Sequence, residues 1–179
     1  MLPRRFTLLL TILVPVLVHT QQSPAKPPWD ALKIFAGRWQ GTSKGEPGTG
    51  RGEREYAFVL GGKFLQSKNK TFYPPQEKNP KGETHEDLGM FSYDAAKKRF
   101  VLRQFHGEGF VNEYVEQGIS GDGTKLIFVT DKIENIAEGW RARETYQFLN
   151  QDEYTEVFEL APPQKEFAVY AESHWKRVK

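Results

Sequence analysis

The chain has 179 residues, 25 of them basic and 23 acidic, and no cysteine. So even a balance gives no support to nucleic-acid binding, which needs a clustered positive face, and the missing cysteines exclude both disulfide staples and a lipid-modified cysteine anchor. The 13 Phe, 7 Tyr and 4 Trp supply the large apolar area that a core of this size needs in their place.

Residues 1–5 carry Arg4 and Arg5 and no acid, and residues 6–18 are apolar apart from Thr7, Thr11 and Pro15. A basic start followed by a short apolar run predicts a signal peptide over 1–20, cut after Thr20, and export to the periplasm or the extracellular space. The run is too short for a comfortable membrane span, so no stable membrane insertion is expected. Loss of Arg4 and Arg5 leaves 23 basic against 23 acidic residues, a neutral mature chain. Residues 21–28 are polar and Pro-rich and read as a flexible spacer; 29–179 read as a single domain.

Trp29, Leu32 and Phe35 recur at helical spacing before Gly37, which predicts a short amphipathic helix over 29–36 that plugs one end of the domain. Ten strand-like runs follow, at 38–46, 53–60, 63–73, 83–93, 99–106, 110–117, 124–131, 139–149, 153–161 and 165–178. Turn signals close each of them, among them Pro47-Gly48, Gly61-Gly62, Gly107-Glu108-Gly109 and Pro162-Pro163. The long polar stretch 74–82 is either a solvated loop or a lid. Connections this short force antiparallel neighbours, and ten strands leave two open edges unless they close. The predicted fold is therefore all-β, an up-and-down antiparallel barrel of about ten strands with a hollow interior.

Alternation assigns the inward faces. They hold Arg54, Tyr56, Phe58 and Leu60 in the second strand, Phe110, Asn112, Tyr114 and Glu116 in the sixth, and Trp140, Ala142, Glu144, Tyr146 and Phe148 in the eighth. The ninth contributes Tyr154, Glu156, Phe158 and Leu160, and the tenth Phe167, Val169, Ala171, Ser173, Trp175 and Arg177. A packing core has no use for Arg54, Asn112, Glu116, Glu144 and Glu156, because an unpaired buried charge costs several kcal/mol. Such groups need water, a partner or a bound molecule. With Tyr56, Tyr114, Tyr146 and His106, whose direction alternation leaves open, Arg54, Asn112, Glu144 and Glu156 make up the candidate ligand-binding set. The segment Glu83-Thr84-His85-Glu86-Asp87 reads as a charged edge, and neither a metal nor a cofactor is expected.

Gly37-Arg38-Trp39 after a short helix, with Arg177 near the end of the last strand, resembles the calycin group of lipocalins and fatty-acid-binding proteins. That resemblance implies that Arg177 packs on Trp39, both in structural roles. Phe35 to Trp39, Val59-Leu60-Gly61-Gly62-Lys63-Phe64-Leu65, Leu88-Gly89-Met90-Phe91-Ser92-Tyr93-Asp94 and Trp175-Lys176-Arg177 resemble a family of exported bacterial proteins of unknown function with a lipocalin-like or nitrobindin-like barrel. Nitrobindin-type relatives bind haem through a C-terminal histidine; His174 is the nearest equivalent here, and its parity turns it outward. The expected function is binding of a small hydrophobic or amphipathic molecule. The alternatives are a hydrolase or isomerase that pairs Glu144 or Glu156 with His106 or Tyr114, a haem barrel, and an outer-face partner module.

Overall fold

The computed structural model describes residues 28–77 and 79–179. The predicted leader and all of the spacer but Pro28 lie outside them.

Trp29–Phe35 is a 3-10 helix with Leu32 and Phe35 fully buried. The spacing of three between Trp29, Leu32 and Phe35 suits a helix with three residues per turn better than an α-helix. Ten strands follow: β1 Gly37–Gly45, β2 Gly48–Val59, β3 Phe64–Tyr73, β4 Glu83–Asp94, β5 Arg99–His106, β6 Val111–Ile119, β7 Lys125–Glu134, β8 Arg141–Asn150, β9 Glu153–Ala161 and β10 Ala168–Arg177. Each pairs antiparallel with its sequence neighbours, and β1 also pairs with β10, from Trp39 opposite Arg177 to Gly45 opposite Ala171. The sheet is a closed barrel, so no strand leaves a free row of backbone donors and acceptors.

The two ends of the barrel differ. At one end the helix inserts Phe35 among Tyr56, Phe91, Tyr146, Phe148 and Tyr154, with ring centroids 4.9–6.1 Å apart. Arg177 fastens this plug. Its guanidinium lies 4.1 Å from the Trp39 ring centroid and donates to the carbonyls of Ile34 at 2.7 Å, Ala36 at 2.6 Å and Gln151 at 2.7 Å. The helix C-terminus thus finds a fixed cationic partner for carbonyls that have none within the helix. Lysine keeps the charge but loses the planar fork. We expect Arg177→Lys to cost about 1–3 kcal/mol in a urea unfolding curve, with the slope of the transition unchanged.

Glycines shape the wall beside the last strand. Gly41 and Gly52 face inward where the Trp175 indole lies flat against β1 and β2. A Cβ would meet that ring at 2.7 Å from position 41 and 2.6 Å from position 52.

Several expected faces shift. β2 begins at Gly48, five residues earlier than predicted, because Glu46 and Pro47 alone make the preceding turn. Leu60 stands in the turn after β2 with φ +51° and is exposed. The β9–β10 pairing slips between Val169 and Ala171. One extra residue there reverses parity, so Val169 faces solvent and Tyr170 turns to the lumen. Phe167, predicted inward, lies under the guanidinium groups of Arg141 and Arg143, 4.9 and 4.5 Å from its centroid. Glu116 sits between two register shifts of the β6–β7 pair and accepts the Phe100 N–H at 3.0 Å instead of reaching the lumen.

Candidate functional site

Above the aromatic plug the lumen opens into a cavity of about 520 Å³ that runs to the other end of the barrel. That volume lies within the usual range for a small-molecule site. Its two walls differ in character. Ile133, Ala142, Phe158 and Leu160 from β7, β8 and β9 supply most of its apolar surface, beside Glu144 and Glu156 on the same strands, while Asn69, Asp87, Gln104 and Asn112 from β3 to β6 form a polar wall. Pro47, Phe110, Ile136 and Trp140 make an apolar rim. Trp140 is thus a rim residue, partly exposed, and not a core residue as its parity suggests.

Arg54 and Glu156 meet deep in this cavity, Nη1 to Oε1 at 2.7 Å, with both side chains nearly inaccessible. The Arg54 guanidinium also lies 4.3 Å from the Trp175 ring centroid and donates to Asn69 at 3.1 Å and to the Tyr56 hydroxyl at 3.2 Å. Trp175 Nε1 donates to Glu156 at 2.9 Å. Burial works against the charge on Arg54, and Glu156 together with Tyr56, Tyr154 and Tyr146 more than offsets it. A cation and an anion buried together are tolerated when their remaining hydrogen-bonding capacity is met, as it is here.

Glu144 is the unmatched member. It is buried, and its Oε2 has no hydrogen-bond partner in the protein. Burial first, and the charge of Glu156 second, push its carboxyl well above the ordinary value of 4.5. A carboxyl beside a carboxylate in low dielectric favours its protonated form. His106 shows the opposite response: burial, then the neighbouring His85, hold its imidazole down at about 4, so it is neutral.

These two groups set the pH dependence of stability. From pH 4.5 upward the native state retains a proton on Glu144 that the unfolded chain releases, so stability declines as pH rises through that window. His106 binds a proton in the unfolded chain but not in the native one between about 6.5 and 4, so stability also declines as pH falls through that interval. We expect Glu144→Gln to flatten the alkaline limb and to be at least as stable as the parent at about pH 8. His106→Gln should flatten the acid limb. Denaturant midpoints measured across that pH range check both.

Of the expected ligand set, Arg54, His106, Asn112, Glu144 and Glu156 line the cavity. Tyr56 and Tyr146 belong to the aromatic plug instead, packed on Phe35, and Tyr114 is buried against the Asn112 amide at 3.0 Å. In the stretch from Glu83 to Asp87, residues 83–86 pair in register with β3 alone and only Asp87 pairs with both β3 and β5; His85 and Asp87 reach the lumen from it. His174 stands on the outer wall, its Nε2 2.7 Å from Glu153 Oε1 and outside the cavity lining, so it cannot serve a haem held in the lumen. Asn69, Asp87 and Gln104 are cavity residues that sequence reasoning missed, whereas Trp175, expected on the inward face of the tenth strand, does line the cavity. Loop 74–82 is pinned to the β1–β2 turn, where the Gln76 side chain accepts the Thr49 N–H at 2.7 Å and donates to its carbonyl at 3.1 Å. None of the loop's described residues lines the cavity.

The ten antiparallel strands close around a hollow, a barrel that is lipocalin-like in fold. No family model and no curated protein matches the sequence. Solved structures do match in shape. Rv2717c from M. tuberculosis aligns with a TM-score of 0.67 at 17% identity, over 86% of this chain and 99% of its own. The S-type phycobiliprotein lyase CPES from Guillardia theta aligns with a TM-score of 0.54 at 11% identity, over 87% of this chain and 95% of its own. At such identities the likeness establishes the fold, and function has to be argued from the site.

Proposed function

We propose that the protein binds a small amphipathic molecule in the lumen, entered from the open end, with the molecule's apolar face on β7–β9 and a cationic or donor-bearing group toward the polar wall. The observation that carries this is a set of buried polar atoms without protein partners, Gln104 Oε1, His106 Nδ1 and Glu144 Oε2, all on residues that line one cavity. Buried polar groups are ordinarily paired, and a site whose ligand completes the pairing leaves them free until it arrives. The sign of the head group follows from the lining. Glu83, Asp87 and Glu108 line the cavity together with Glu156, Arg54 is the only Lys or Arg among the described lining residues, and Arg54 is already committed to Glu156. A ligand carboxylate meets a field of like sign there; an ammonium or a cluster of hydroxyl donors meets acceptors.

Calorimetric titration of a matched pair tests this, an arylalkyl amine against the carboxylate of the same length. We expect the amine to bind at micromolar to sub-millimolar affinity and the acid to bind at least about tenfold more weakly, a difference of about 1.4 kcal/mol. Equal binding of the two, or tighter binding of the acid, would overturn the proposal. A carrier or sensor delivered outside the cytoplasm fits the leader that the sequence predicts; fractionation of the producing cell checks that location.

A further inference from the structure

We propose that His85, Asp87 and His106 form a binding site for one divalent first-row transition ion at the mouth of the barrel, with Zn²⁺ as the reference case. This goes beyond the binding of an organic ligand and does not depend on it. His85 and Asp87 are two residues apart on β4 and so share a face, and Asp87 pairs in register with His106 at the end of β5. A ligand atom from each of the three lies within 4.8 Å of the other two.

The spacing fits a metal better than a direct contact. His85 Nε2 and Asp87 Oδ2 are 3.6 Å apart, too far for a hydrogen bond. Two donor atoms each about 2.1 Å from a tetrahedral ion stand about 3.4 Å apart.

Each of the three also has an outer partner, the feature that separates metal ligands from chance neighbours. Glu108 Oε1 lies 2.8 Å from His85 Nδ1, which fixes that ring's proton on Nδ1 and leaves the Nε2 lone pair toward Asp87. Asn69 Nδ2 donates to Asp87 Oδ2 at 2.8 Å. The Asn112 amide lies 3.3 Å from His106 Nε2. With its oxygen turned to the ring, that amide accepts the Nε2 proton and frees Nδ1, a buried atom that has no protein partner. Phe110, stacked on His106 with centroids 4.1 Å apart, holds the imidazole plane in place.

Two imidazoles and one carboxylate are a donor set for zinc, iron or nickel, whereas magnesium and calcium prefer oxygen. Three protein ligands leave a further position for water or a donor atom of a molecule in the lumen.

Titration of the chelator-stripped protein with Zn²⁺, and with Co²⁺ followed by visible absorption, tests the site without any organic ligand. We expect one ion per chain, and a Co²⁺ spectrum with the intensity of four- or five-coordination. His85→Ala and His106→Gln should each weaken binding at least about 30-fold, and Glu108→Gln about 10- to 100-fold through His85. His174→Ala, on the outer wall beside Glu153, should leave it unchanged. Thermal melts report folding, and His85, partly exposed at the mouth, is the substitution least able to disturb it. Unchanged affinity in the His85 variant, loss of binding in the His174 variant, or a weak six-coordinate Co²⁺ spectrum each overturns the assignment. The amine titration above stands or falls separately.

Discussion

Arg54→Met is expected to lower stability by about 3–5 kcal/mol, because it leaves Glu156 buried without its cation. For a domain of about 150 residues this corresponds to a melting temperature about 10 °C lower. Three losses coincide at this residue: the 2.7 Å ion pair, the stacking on Trp175 and the donation to Asn69. Asn69 in turn holds Asp87, so the change also loosens the rim of the cavity. The expected signature is non-additivity. Glu156→Gln in the Arg54→Met background removes the stranded charge and should recover most of the loss, since a buried pair replaced as a unit is often close to neutral. A double variant as unstable as the sum of the singles would show that packing, and not charge, sets the cost.

Phe35→Ala is the second large effect. The ring is fully buried and touches five aromatic side chains; truncation of such a phenylalanine costs about 3–5 kcal/mol. It also opens the closed end, because the Phe35 ring is packed among Tyr56, Tyr146 and Tyr154 there. We expect thermal unfolding at a markedly lower temperature, together with binding of a hydrophobic dye that the parent excludes. If stability falls while dye binding stays at the parental level, the neighbouring rings have collapsed into the gap and the plug is more adaptable than its packing suggests.

How much of this was legible in the sequence depended on the contrast between the two faces of each strand. In β8, Arg141, Arg143 and Thr145 alternate with Ala142, Glu144 and Tyr146, so Glu144 stood out as a carboxyl on an apolar face; the same held for Glu156 in β9 and Arg54 in β2. In β3, Lys68 and Lys70 alternate with Asn69 and Thr71, while Phe72 is exposed on the outer face. In β5, Leu102 and Gln104 alternate with Arg103 and Phe105, another exposed aromatic. Both faces of these strands are mixed, and Asn69 and Gln104 could not be assigned to the lumen.

Parity failed in a second way at bulges. The slip near Val169 reversed the faces at the start of β10, and those flanking Glu116 took its carboxylate away from the lumen; a period of two carries no mark of where a residue will be inserted. His106 needed the third dimension. Only the barrel brings it to Asp87 and His85, since a strand-end histidine beside Gly107 reads equally well as a turn residue.

The central claim, a ligand bound in the polar-walled lumen from the open end, is tested most directly by the four indole N–H signals of the ¹⁵N-labelled protein. Trp140 and Trp175 line the cavity, whereas Trp29 and Trp39 lie at the plugged end against Phe100 and Tyr154. Saturation with the arylalkyl amine should move the Trp140 and Trp175 resonances and leave those of Trp29 and Trp39 in place. Movement confined to Trp29 and Trp39, or four unmoved signals at saturation, would contradict it.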